Sequence, residues 1–154
     1  MKFSKKFSKI CTVFLFLTLF IGGCTSSGSS DNQIELTDYS FTMYGSGGAK
    51  IASGVMTVKN ITSTDVNNPS ISGTYIVTNW YSQDFPGKSS MGGDFTGNID
   101  YTKGKLFINT NPKIADANVF FNATIYSSFY QGEWNFSTFR GPANRGELII
   151  TKAK

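Results

Sequence analysis

Apolar and polar residues alternate along most of the chain beyond residue 34. In 35–44, Tyr39, Phe41 and Met43 fall on one side and Asp38, Ser40 and Thr42 on the other. A period of two marks a strand with one face buried. Phe95, Gly97, Ile99 and Tyr101 oppose Asp94, Thr96, Asn98 and Asp100 in the same way, and Tyr130, Gly132, Trp134 and Phe136 oppose Phe129, Gln131, Glu133 and Asn135. Together with β-rich stretches at 49–60, 72–80, 105–110, 118–127 and 147–151, these predict eight strands. No stretch carries an apolar stripe at helical spacing over three turns.

The links between them decide the topology. Thr102-Lys103-Gly104 suits a three-residue hairpin loop, and 141–146 reads as another turn. The longest links, 61–71 and 81–93, are rich in Asn, Ser, Pro and Gly. Consecutive strands with short links favour an up-and-down meander, and eight strands is the size at which a sheet closes on itself. The expected fold is therefore all-β, a single antiparallel up-and-down barrel over 34–154, with a two-sheet sandwich as the alternative. Glycines inside strands (Gly54, Gly73, Gly97, Gly132) fit the kinks at barrel corners.

A different pattern precedes the barrel. Lys2, Lys5, Lys6 and Lys9 form a basic start with no acidic residue among them, and 10–21 is an uncharged, largely aliphatic and aromatic run. As a helix this run reaches about 18 Å at ~1.5 Å per residue, short of the ~30 Å needed to span a bilayer. It reads as an export signal. The run closes on Ile21-Gly22-Gly23-Cys24, which resembles the lipobox of bacterial lipoproteins. The resemblance implies that the Cys24 thiol takes diacylglycerol and that cleavage leaves Cys24 as the new N-terminus. Residues 1–23 are then a signal peptide. Residues 24–33 form a lipidated tether, with no apolar anchor from Thr25 to Gln33 and a root-mean-square reach of ~15–18 Å. Thr25 rather than Asp after the cysteine resembles the outer-membrane type. The expected location is the cell envelope: the outer membrane where two membranes are present, otherwise the outer face of the cell membrane.

Charge changes its meaning once the signal is set apart. The net +4 of the 154 residues lies wholly before Cys24, where four of the 14 Lys and Arg stand. The 10 remaining cations match 10 Asp and Glu. A phosphate backbone finds no basic footprint on such a chain, which excludes nucleic acid as a partner. Of the two cysteines, Cys11 falls in the signal and Cys24 takes the lipid, so no disulfide and no cysteine metal site is expected.

The chemistry-bearing residues are few. With no histidine, a serine–histidine nucleophile is excluded and the commonest general base is missing. Paired carboxylates would suffice for a glycosidase, yet the acids are scattered and Asp94, Asp100 and Glu133 fall on faces read as solvated. The segment 45–50 is glycine-rich and ends in a lysine, but no serine or threonine follows and the next element reads as a strand, so it predicts a hairpin link. No acidic set has calcium-loop spacing. Neither a reaction nor a cofactor is expected.

Aromatics remain. Trp80, Tyr101, Tyr130 and Trp134 are the candidate ligand-binding residues, each offering apolar area with a polar tip; the alternative is that they fill the core. Arg140 is placed to stack on Trp134. Gly132-Glu133-Trp134 and the Gly-x-aromatic triplet Gly73-Thr74-Tyr75 loosely resemble those of lipocalin- and avidin-like barrels, which implies a ligand cup. Two functions follow. One is a membrane-anchored barrel that holds a small, partly apolar molecule. The other is a structural or protein-interaction lipoprotein with a filled barrel, docking through loops 61–71 and 81–93. The membrane, through Cys24, is the partner common to both.

Overall fold

A computed structural model describes residues 33–154; the signal, Cys24 and nearly all of the tether lie outside the described residues. Eight strands follow one another: β1 (Asp38–Gly45), β2 (Lys50–Thr62), β3 (Ser70–Trp80), β4 (Gly93–Asp100), β5 (Lys105–Asn109), β6 (Asn118–Ile125), β7 (Phe129–Thr138) and β8 (Gly141–Lys152). Each pairs antiparallel with the next, and β1 closes on β8 from Tyr39↔Lys152 to Gly45↔Gly146. That last pairing makes a closed barrel and removes the sandwich alternative.

Alternation carries through to burial. Tyr39, Phe41 and Met43 of β1 point inward, as do Phe95 and Ile99 of β4 and Tyr130, Trp134 and Phe136 of β7. Several inward positions are glycines, and large rings occupy the space they leave. Phe41 pairs in register with Gly54 and Phe95 with Gly73. A Cβ at Gly54 would stand 2.7 Å from the Phe41 ring and one at Gly73 2.9 Å from the Phe95 ring. This cross-strand filling lets a narrow barrel hold bulky aromatics.

Two features depart from expectation. Residues 141–146 are not a turn: they open β8 and pair with β7, with Thr138↔Gly141 at the start, leaving 139–140 as the tight link. The second concerns the long loops. The linkers 63–69, 101–104 and 126–128 lie at one end of the barrel together with residues 33–37, hereafter the near end. The linkers 46–49, 81–92, 110–117 and 139–140 lie at the opposite, far end. Loops 61–71 and 81–93 therefore sit at opposite ends and cannot form one docking face.

Candidate functional site

Both mouths of the barrel are closed by side chains, and each closure includes two of the candidate residues. At the far end, Phe85 folds inward from the 81–92 linker. Its ring stacks on Trp80 at 5.8 Å and meets Trp134 and Phe136 edge-on at 5.4 and 6.1 Å. Gly87 permits the fold-back, because a Cβ there would lie 2.8 Å from the Phe85 ring. A short 3-10 turn at Lys88–Ser90 follows, placing the Lys88 ammonium 5.5 Å from the centre of the Trp80 ring. Trp134 is fully buried, and its Nε1–H donates to the Tyr44 carbonyl oxygen at 2.8 Å. Arg140 does not stack on Trp134 as anticipated; Phe85 covers that indole, and Arg140 lies 5.5 Å over Phe139.

At the near end the plug is Ile34, buried against Tyr39 and Tyr130. The incoming backbone is caught by two phenols: the Ile34 N–H donates to Tyr101 Oη at 3.1 Å and the Glu35 N–H to Tyr39 Oη at 2.8 Å. Tyr39 and Tyr130 meet edge-on at 5.9 Å. Burial drives the Tyr130 hydroxyl far above the ordinary phenol range, with Tyr39 adding to the shift. It also raises Tyr101.

Trp80 and Trp134 thus belong to the far closure and Tyr101 and Tyr130 to the near one, so the four do not converge. Between the closures stand Phe41, Met43, Met56, Phe95, Ile99 and Phe121, all but sealed from solvent. The interior space bordered by Ile34, Met56, Phe95 and Tyr130 amounts to ≈ 10 Å³, room for one water at most.

The larger hollows are open to solvent, several on the outer wall and one of ≈ 240 Å³ on the near rim beside Tyr126, Phe129 and Tyr130. One of ≈ 690 Å³ runs over β4–β7 past Asn98, Phe107, Asn122 and Glu133. Phe107, which lines it, stacks on Phe120 at 5.9 Å. Glu133 lies opposite Glu147 in register, both exposed. Asp94 and Asp100 are held by Lys113 at 2.6 Å and Lys103 at 2.9 Å. Among the described residues no three His, Cys, Asp or Glu gather as a metal would require. The 45–50 segment is the hairpin link expected, tied by Gly45 N–H to Ala49 O at 2.8 Å.

Sequence reasoning passed over the plugs. Phe85 stands alone between Asp84 and Pro86 in a polar linker, with no periodicity to mark it as core. Tyr81 and Met91 share the linker with it, and nothing in the sequence separates the inward Phe85 from the exposed Tyr81. No family model, curated protein or solved structure matches this chain.

Proposed function

We propose that the chain is a lipid-anchored envelope protein, held through Cys24, whose barrel is a solid body acting through its outer surface as a structural or protein-interaction module. The observation that carries the choice over a ligand carrier is the interior: both mouths are plugged and ≈ 10 Å³ remains, where a small-molecule site takes ~300 Å³ or more. Support for the anchor comes from the basic start, the uncharged run and Ile21-Gly22-Gly23-Cys24. The surface left for a protein partner is the far rim, where Tyr81, Ile114 and Phe139 are exposed and Lys50 and Arg140 lie over Tyr81 and Phe139 at 5.7 and 5.5 Å. No reaction is assigned to it.

Titration of the purified protein with a lipophilic probe such as palmitate, read by tryptophan emission, tests the choice. A solid barrel leaves the Trp134 signal unchanged. Saturable quenching would return the carrier reading. Intact-mass measurement of the membrane-extracted protein tests the anchor: acyl chains on Cys24 and loss of residues 1–23 are expected.

A further inference from the structure

From the near end of the barrel we infer that this protein sits end-on against the bilayer that carries its anchor, with Leu36, Ile61, Val66 and Tyr126 entering the lipid interface. The inference rests on the anchoring reading above and adds an orientation and a contact surface to it.

Four exposed apolar side chains share that end: Leu36 at 63%, Ile61 at 37%, Val66 at 75% and Tyr126 at 45% exposure. Single exposed apolar residues mean little, but several around one rim mark a contact surface. Their backbone is fixed. The Asp65 carboxylate accepts from the Asn67 N–H at 2.9 Å and from Asn68 Nδ2 at 2.7 Å. The Tyr101 N–H donates to Asn67 O and the Ile99 N–H to Pro69 O, both at 2.9 Å, tying the 63–69 linker to β4. Val66 is thereby held at the tip of a braced turn. Tyr126 stacks on Phe129 at 4.8 Å, an aromatic pair of the kind that settles at the membrane–water boundary.

The occupant follows from where the chain comes in. Ile34 and Glu35 are bonded to the near-end phenols, so the lipid on Cys24 is tied to the near end by segment 25–33, whose root-mean-square reach is ~15–18 Å. The far end is higher by the length of the wall. β7, of 10 residues, spans ~25 Å at ~3.3 Å per residue and a tilt of ~40°. A tether whose typical reach is shorter than the wall favours the near rim at the interface over Phe139. On this rim Lys103 pairs with Asp100 at 2.9 Å and Lys152 with Glu35 at 2.7 Å, and the Asp65 carboxylate beside Val66 is turned back onto Asn67 and Asn68. With these two lysines neutralised, apolar insertion rather than attraction to anionic lipid supplies the contact.

Two positions of matched exposure read the orientation, Val66 at 75% and Phe139 at 79%. After processing, Cys24 is acylated and the body holds no other cysteine, so Val66→Cys and Phe139→Cys each give one reactive thiol. Each full-length lipoprotein is labelled with the fluorophore NBD and reconstituted in phosphatidylcholine vesicles. The label at 66 should shift to the blue, brighten several-fold and be quenched by nitroxide-bearing phosphatidylcholine, while the label at 139 does none of these. Neither added phosphatidylglycerol nor salt should change that. An acylated protein whose two labels respond alike, or whose label at 66 shifts without lipid quenching (as burial by a second copy or a protein would give), overturns the seating alone. A mass without acyl chains overturns the anchor and the seating with it.

Discussion

Trp134 on β7 reaches across an entire strand: its Nε1–H donates to Tyr44 O of β1 at 2.8 Å, although β8 lies between them. The crossing is possible because Gly146 of β8 is the register partner of Trp134 on one side and, on the other, of Gly45, the residue next to Tyr44. A Cβ at Gly146 would stand 1.9 Å from Tyr44 O and 2.9 Å from Trp134 Nε1. One missing side chain thus lets the largest side chain of the core bolt the first and seventh strands together through the closing seam.

Gly146→Ala should therefore destabilise the domain by roughly 3 kcal/mol or more, beyond an ordinary overpacked core, because the obstacle is backbone and cannot rotate away. Trp134→Phe keeps most of the ring but leaves Tyr44 O without this donor, and should cost about 1–3 kcal/mol. Urea unfolding followed by far-ultraviolet circular dichroism measures both. A Gly146→Ala variant as stable as the parent would show that the seam relaxes freely.

Removing the far plug gives a separate expectation. Phe85→Ala deletes a ring packed on Trp80, Trp134 and Phe136, at a cost of about 3–5 kcal/mol. That is a large share of the 5–15 kcal/mol typical of a small domain. The space left is apolar and should admit a benzene-sized molecule that the parent excludes. Ligand-dependent recovery of the melting temperature in the variant alone is the outcome to look for. Deleting 82–92 as a supposed free loop would remove the same plug and should unfold the domain for the same reason.

Stability should fall at both extremes of pH. Burial raises Tyr130, Tyr101 and Tyr75 in the fold, above an unfolded phenol near 10. The unfolded chain then loses protons first, so this contribution is whole below pH ~10 and fades as pH rises beyond it. Phenolate absorbance from these residues should appear together with loss of β structure, and Tyr130→Phe should move the midpoint upward. At the acid end, the Thr102 hydroxyl and Lys103 hold Asp100 down to about 2. Its contribution is whole above the unfolded value of ~3.9 and is lost as pH falls toward about 2. Asp100→Asn should flatten stability across that interval.

Most of the wall was legible because alternation is a local signal. Phe41, Phe95, Ile99, Trp134 and Phe136 point inward where period two places them. The opening of β8 was not legible. Pro142, Ala143, Asn144 and Arg145 are all exposed, and the segment stays in the strand because Pro142, Asn144 and Arg145 pair with β7 around a register shift at Ala143, which leaves no mark on side-chain type. The ends were harder still. Whether a lone Phe85 or Ile34 plugs a mouth or faces solvent depends on loops meeting in space. For the same reason Trp80 and Trp134, and likewise Tyr101 and Tyr130, read as ligand contacts in sequence although the structure spends them on closure.

Closure of β1 onto β8 also restricts what a partner can do. Every strand has a paired neighbour on both sides, and the longest stretch of β3 that no β4 residue faces is 76–80, so the barrel offers no full-length edge for an incoming peptide or a second copy to extend. Recognition has to be written in side chains at the rims and along the outer wall. At high local density such a body is protected by its topology from templated fibre growth.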